Sequence, residues 1–168
     1  MEYEIPEKLK LEGQAVEAQI RAAWKGVQRT GGVSWSEAGV IDDNGTEDER
    51  NAAHALDREK NWEELVDDSS WDPHGGVEFS FLDPIGFLYY IAPAMIRCVR
   101  KGGGEFVGYA LEVRDQGRLF SKNQNRATAR FVRYMVDVHK AVGNDIYGAS
   151  WVNAYEGYWK QFDEGATS

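Results

Sequence analysis

The stretch that sets the architecture is residues 81–104, which read FLDPIGFLYYIAPAMIRCVRKGGG. Asp83 is a favoured N-cap residue, and Pro84 suits the first helical position because the amide hydrogen it lacks would have no partner there. From Pro84 to Lys101 the sequence is apolar on nearly every face, and glycines 102–104 follow. This pattern predicts one buried central helix around which the other elements pack.

Pro93 lies inside this predicted helix. Proline has no amide hydrogen to bond to the carbonyl of Tyr89, and its ring clashes with that carbonyl. We therefore expect a kink at Pro93, with a water or a side chain near the freed carbonyl oxygen.

A long helix is predicted after Ser121, where Ser121 and Gln124 have the spacing of a capping box. Its apolar residues recur at intervals of three and four, which predicts one buried stripe. We expect Phe131 of that stripe to share one core with Phe87, Ile91 and Met95 of the central helix.

The remaining helices are predicted from the same periodicity and from two further capping boxes, at Ser34 and Thr46. Two segments, 77–81 and 107–113, instead alternate apolar and other residues, which is typical of short strands. We expect a mainly α fold, a single-domain bundle of five to six helices with room for a minor two-stranded β element. Its predicted helices cover residues 12–27, 34 onward, 47–60, 84–101, 121–142 and 146–162, with a further turn at 62–66.

Composition excludes disordered, collagen-like and coiled-coil proteins. Of 168 residues, 42% are hydrophobic and 12% aromatic, which is enough for one core. A single cysteine forms no internal disulfide, and the first residues lack the pattern of a signal peptide. We expect a soluble cytoplasmic protein without a membrane span, forming one domain over residues 1–168 with flexible ends at 1–11 and 164–168.

Charge is distributed unevenly along the chain, whose net charge is −9. Residues 37–72, the acidic segment, contain 13 acidic and 3 basic residues, whereas residues 97–133 contain 9 basic and 3 acidic ones. The acidic segment suits a partner protein with a basic surface, or the two segments pack on each other. Nucleic acid is an unfavourable partner because binding to phosphates relies on clustered lysine and arginine.

The string at residues 81–95 resembles the signature of an uncharacterised bacterial family, which is roughly F-L-D-x-x-G-F-x-Y-Y-x-P-A-x-M. Further matching pieces lie at residues 20–24, 32–38 and 154–159. The chain is therefore identified as a member of domain of unknown function six-seven-one-four. The resemblance implies an intact single domain, and it transfers no catalytic residue because the family has no assigned activity.

Arg126, Arg130 and Arg133 form a basic stripe on the predicted long helix, at spacings i, i+4 and i+7. Three guanidinium groups on one face can bind carboxylates or phosphates through paired hydrogen bonds. The alternative is that they pair within the chain, with Asp137 and with the acidic segment. In that case we expect them to contact some of Glu47, Asp48, Glu59, Glu63 and Glu64.

A second candidate site lies in the loop after Trp71, where Asp72 stands two residues before His74. Such a pair can do acid–base chemistry, although a simple loop turn explains the same sequence. With Tyr89 and the kink at Pro93, it would form the site of an enzyme or a small-ligand binder.

Motifs for catalysis or metal binding are otherwise missing from the sequence. The three histidines lack the spacing of a zinc site, so we expect no metal, no cofactor and no catalytic residue. Cys98 lies on the central helix among apolar residues and is expected to be a buried thiol. We therefore predict an acidic protein-binding or immunity-type accessory domain, with the enzyme or small-ligand binder as the alternative.

Overall fold

The computed structural model describes residues 4–73, 77–113 and 119–166. Within these ranges the chain is mainly helical, as predicted, and contains no β-strand. Shorter 3₁₀ turns cover Trp62–Val66, Glu78–Ser80 and Trp159–Phe162. The α-helices of the described ranges are α1 (Glu7–Ala23), α2 (Trp35–Asp42), α3 (Glu47–His54), α4 (Pro84–Lys101), α5 (Glu105–Val113), α6 (Lys122–Val142) and α7 (Asp145–Gly157).

Helix α4 has the predicted bounds and is buried along most of its length. Phe87, Ile91 and Met95 are fully buried in the same hydrophobic cluster as Phe131 of α6, so the predicted shared core is confirmed. The helix is continuous through Pro93, which is itself buried. The kink expected there remains a prediction.

Helices α1, α5 and α6 pack against α4. Helix α6 also packs against α1 and α7, and α5 packs against α7. Helices α2 and α3 pack on each other, and the 3₁₀ turn at Trp62–Val66 packs on α4. The hydrophobic cluster accordingly draws residues from both ends of the described chain.

The strand predicted at residues 107–113 is wrong, because this segment forms α5. Val107, Ala110 and Leu111 are buried at helical spacing. Phe106 and Tyr109 are apolar as well but largely exposed. Tyr109, an apolar residue on the exposed face of α5, therefore produced an alternation in the sequence that resembles a strand. With α5, the described ranges contain seven α-helices.

The strand predicted at residues 77–81 is also wrong, because Glu78–Ser80 forms a 3₁₀ turn. Phe79 and Leu82 are buried three residues apart, whereas Val77 is exposed. A spacing of three places both buried side chains on one side of a 3₁₀ turn. The described residues therefore contain no two-stranded β element.

Helix α1 begins at Glu7, five residues before its predicted start at Glu12. Ile5 is buried and Leu9 packs against the core, so apolar contacts anchor the chain on both sides of the first turn. These two residues were not part of the periodic stripe from which the start was predicted.

Helix α3 ends at His54, before its predicted end at Lys60. Beyond it, Asp57 accepts hydrogen bonds from the amide and the hydroxyl of Ser36, at 2.8 and 2.7 Å. This contact holds the segment after α3 against the start of α2.

The last predicted helix is divided in two, because α7 ends at Gly157. Tyr158 has a non-helical backbone, with φ −148° and ψ −54°, and a 3₁₀ turn follows. The Trp159 indole nitrogen then donates to the carbonyl oxygen of Leu111 at 3.0 Å. A tertiary hydrogen bond thus accompanies the change in helix direction.

Two further buried indoles connect distant elements. Trp24 Nε1 donates to the Leu88 carbonyl of α4 at 2.8 Å. Trp62 Nε1 donates to the Trp24 carbonyl at 3.0 Å. Each indole therefore buries a large ring while its single polar hydrogen finds a backbone acceptor.

Asp83 joins the start of α4 to the turn before α2. One of its carboxylate oxygens accepts from the Gly86 amide at 2.8 Å, as an N-cap does, and from the Val33 amide at 2.9 Å. A Cβ atom on Gly86 would lie 2.3 Å from the Val33 carbonyl oxygen, and one on Gly32 would lie 2.6 Å from the side chain of Ile85. Both glycines are therefore required by this close approach.

Replacing Phe131 with Ala is expected to lower the free energy of unfolding by about 3–5 kcal/mol, because a fully buried ring is lost and a cavity remains. That ring lies 5.4 Å from the ring of Trp151. Chemical denaturation followed by circular dichroism measures the change. The control Ile146→Ala, at a side chain 83% exposed, should change stability by less than about 0.5 kcal/mol. An equally small effect of Phe131→Ala would contradict its core position.

Replacing Gly86 with Ala is expected to cost about 1–3 kcal/mol, because the new methyl group meets a backbone oxygen that cannot move freely. Gly39, inside α2, has open space where the methyl group of an alanine would lie. Gly39→Ala should therefore stabilise the protein by about 0.5–1 kcal/mol. Thermal and chemical unfolding of the two variants tests this contrast, and equal effects would show that the close approach at Gly86 is unimportant.

Candidate functional site

Carboxylates of the acidic segment line a groove of about 460 Å³. Its floor is apolar and is formed by Trp35, Leu65 and Trp71. Five of its lining residues carry a carboxylate and one, Arg58, carries a positive charge. We call this site the acidic groove, and its carboxylates belong to Asp57, Glu59, Glu64, Asp68 and Asp72.

The floor of the acidic groove is part of a rigid aromatic cluster. The ring of Trp35 lies 5.2 Å from that of Trp71, 5.1 Å from that of Phe79 and 5.4 Å from that of Tyr90. The buried Arg97 donates to the Trp71 carbonyl, and its guanidinium carbon lies 5.5 Å from the centre of the Trp71 ring. Contacts with Phe79, Tyr90 and Arg97 thus hold the two indoles in place.

The carboxylate of Glu59 holds the wall of the groove. Glu59 pairs with Arg29 at 3.2 Å and accepts from the Tyr90 hydroxyl at 2.9 Å. Its side chain is only 8% exposed, and that of Arg29 is 13% exposed. Burial raises the pKa of the Tyr90 phenol well above its ordinary value, with the Glu59 charge as the second cause, so it remains a neutral donor.

The rim carboxylates Glu64, Asp68 and Asp72 are exposed to solvent. Asp68 accepts from the hydroxyl and the amide of Ser70, at 2.6 and 2.9 Å. These hydrogen bonds lower the pKa of Asp68. Asp68 therefore presents an ionised carboxylate towards solvent at neutral pH.

The three arginines predicted as a stripe do line one groove, of about 410 Å³, between α1, α6 and the C-terminal residues. We call it the arginine groove. Hydrogen bonds from Arg130 lower the pKa of Glu12. Each arginine pairs with a carboxylate from another element: Arg126 with Glu164 at 2.8 Å, Arg130 with Glu12 at 2.8 Å and Arg133 with Asp163 at 3.0 Å.

The acidic segment does not supply these partners. Among the described residues, no ion pair joins Arg126, Arg130 or Arg133 to residues 37–72, so the contacts expected from mutual packing are not made. An ion pair that does join the acidic and basic segments is Arg100 with Asp67, at 2.8 Å. Most acidic side chains of residues 37–72 are instead exposed, namely Asp42, Asp43, Glu47, Asp48, Glu49, Glu64, Asp67, Asp68 and Asp72.

Residues 13–103 match the model of a family described as family of unknown function, DUF6714. The chain belongs to this family. The resemblance in the sequence is therefore confirmed over these residues, which include the whole lining of the acidic groove. The three arginines of the arginine groove lie beyond the matched region. No curated protein and no solved structure matches the chain.

The second candidate site is only partly visible in this DUF6714 member. His74 lies outside the described residues. Asp72 lines the acidic groove, whereas Tyr89, 1% exposed, lines a neighbouring groove beside Arg29. Burial raises the pKa of Tyr89 far above its ordinary value. The structure therefore places Asp72 and Tyr89 in separate grooves that share the wall residue Glu59.

Sequence reasoning missed the aromatic floor of the acidic groove. Trp35 and Trp71 are 36 positions apart, and the sequence places one in the capping box at Ser34 and the other beside a loop, with no contact between them predicted. A usable signal was present, because these two tryptophans lie at the two ends of the most acidic segment of the DUF6714 chain.

Three further properties concern the described ranges of this DUF6714 protein. None of the helices there has the length and apolar content required to cross a bilayer. In the same ranges, no three histidine, cysteine or carboxylate side chains come together in the manner of a metal site. Cys98 is fully buried, and burial raises the pKa of its thiol.

Replacing Arg29 with Met is expected to cost about 3–5 kcal/mol of unfolding free energy, because the buried Glu59 loses its charged partner. Adding Glu59→Gln should recover most of this loss, since a neutral amide still accepts from Tyr90. Chemical denaturation of the three proteins measures both effects.

The matched control is Lys160→Met, which removes an exposed lysine paired with the exposed Glu156 at 2.9 Å. Exposed ion pairs contribute little, so this change should cost less than about 1 kcal/mol. A similar cost for Arg29→Met would show that the wall of the acidic groove does not depend on the buried pair.

Proposed function

We propose that this protein acts by binding, and that its acidic groove receives a basic, extended segment of a partner protein. The observation that carries the proposal is an apolar tryptophan floor surrounded by carboxylates that outnumber the one arginine of the lining. Lysine and arginine side chains have the complementary composition, because a long apolar stem ends in a positive charge.

The floor and the rim would recognise different parts of such a side chain. The stem of a lysine or arginine can contact the parts of Trp35, Leu65 and Trp71 that remain accessible in the groove, 5–8% of each residue. Its charged end then reaches Glu64 or Asp68 at the rim. Since the aromatic cluster already holds both indoles, little side-chain entropy is lost on binding.

The exposed carboxylates outside the groove extend the same preference over a wider surface. Asp42, Asp43 and the first turn of α3 add negative charge on the acidic segment. Such a field attracts a basic partner over distances of about 8–10 Å and raises its association rate at low salt. We therefore propose a partner whose contact surface is basic.

An immunity-type accessory role is one form of this proposal, because a domain that covers a basic surface blocks what that surface would otherwise bind. A cytoplasmic setting is also part of the proposal, supported by the single cysteine being a buried free thiol. The alternative of an enzyme or a small-ligand binder near Tyr89 gains less support, since Tyr89 and Pro93 are both buried.

An eight-residue peptide of alternating arginine and glycine, labelled with fluorescein, tests the groove. Binding is measured by fluorescence anisotropy with the full chain. The double variant Glu64→Gln with Asp68→Asn should weaken binding about tenfold, because it removes two charge-assisted contacts at the rim. Binding to the wild type should also weaken as salt concentration rises.

The control Asp42→Asn with Asp43→Asn removes the same charge from exposed residues outside the groove. We expect it to weaken binding less than about twofold, through the long-range field alone. Equal weakening by the two double variants would show a nonspecific charge effect. No binding by the wild type at low salt would reject the basic-segment proposal.

A further inference from the structure

The arginine groove is occupied by the chain's own C-terminal residues. Glu164 pairs with Arg126 at 2.8 Å, and Asp163 pairs with Arg133 at 3.0 Å. Arg133 also donates to the carbonyl oxygen of Gly165 at 3.0 Å. A three-residue acidic peptide segment thus binds two guanidinium groups through both side chains and backbone.

The fit of this segment is close. The Asp163 carboxylate is only 2% exposed and also accepts from the Tyr155 hydroxyl at 2.8 Å. A Cβ atom on Gly165 would lie 2.6 Å from Nη1 of Arg133, so the backbone lies directly on the guanidinium group. The groove therefore recognises the Asp163–Gly165 segment by shape as well as by charge.

The space in the groove is not filled by these contacts. It retains a volume of about 410 Å³, lined by the three arginines together with the carboxylates of Glu12, Asp137, Asp163 and Glu164. With Asp163 and Glu164 in place, the carboxylates of the lining outnumber its guanidinium groups. An incoming acidic segment must therefore displace Asp163 and Glu164 in order to pair with Arg126 and Arg133.

We propose that the arginine groove is a binding site for an acidic peptide segment of a partner protein, and that residues 163–165 occupy it as an internal competitor. The bound segment shows the ligand chemistry directly, namely two adjacent carboxylates followed by a small residue. This site is separate from the acidic groove and requires a partner segment of opposite charge.

An internal competitor sets a threshold for binding. A segment tethered beside its site acts at an effective concentration in the millimolar range. A free peptide with the same contacts must exceed that concentration, whereas a partner with more contacts displaces the segment at lower concentration. The contact is therefore autoinhibitory towards weak acidic ligands and permissive towards strong ones.

The test uses a labelled peptide with blocked ends and the sequence of residues 161–166, QFDEGA, and a neutral peptide in which its acids are amides. In the full chain, Asp163→Asn with Glu164→Gln weakens the internal competitor without truncation. This opened variant should bind the acidic peptide at least about tenfold more tightly than the wild type does. The neutral peptide should bind neither protein.

Two control variants define the site. Glu112→Gln with Glu156→Gln removes two exposed charges outside the arginine groove and should leave peptide binding as weak as in the wild type. Adding Arg126→Gln and Arg133→Gln to the opened variant should abolish the gained binding. A gain of equal size in the Glu112 and Glu156 variant, or one that survives loss of the arginines, would overturn the proposal.

A measurement on the wild type decides the question if the opened variant is poorly folded. The Gly165 amide donates to Asp163 at 3.0 Å, so its NMR resonance reports whether the segment is in place. Millimolar acidic peptide should shift this resonance, whereas the neutral peptide should not. An unmoved resonance would overturn the proposal, and an equal shift with inorganic phosphate would overturn the assignment of the ligand as a peptide.

Discussion

The fold depends on the contact between the first turn of α4 and the turn before α2. One carboxylate oxygen of Asp83 holds two backbone amides, its own helix's Gly86 and the distant Val33. Because Trp35 follows two residues later, this contact also places the indole on which the acidic groove is built. The side chain that caps α4 thus also positions part of the acidic groove.

The fold was predictable from the sequence where local and tertiary forces agree. Helix α4 is apolar on all sides and capped by Asp83, and α6 begins at the predicted capping box of Ser121. Helix α5 was not predictable as a helix, since Tyr109 is apolar yet exposed. The arginine stripe followed from helical spacing, but its partners did not, because Glu12 and Glu164 lie far away in sequence. The contact between Trp35 and Trp71 in the acidic groove was likewise not predictable, because these residues lie far apart in the sequence.

The two grooves differ in how their charge is balanced. In the arginine groove, each guanidinium has a carboxylate partner supplied by α1 or by the C-terminal segment. In the acidic groove, Glu59 is neutralised by a buried partner, whereas the rim carboxylates face solvent. The uneven charge of the sequence therefore has two separate structural origins, an open acidic surface and a stripe that the chain itself covers.

The indole hydrogen bonds have a consequence for how the chain folds. The Trp24 indole donates to Leu88, 64 positions away, and the Trp62 indole donates to the carbonyl oxygen of Trp24, 38 positions away. Trp24 therefore takes part in both bonds. Neither bond can form until the long loop between its two residues has closed. The entropic cost of loop closure therefore precedes the stabilisation that each bond provides. Folding of a helical protein with such non-local contacts is slower than that of a bundle with only local ones.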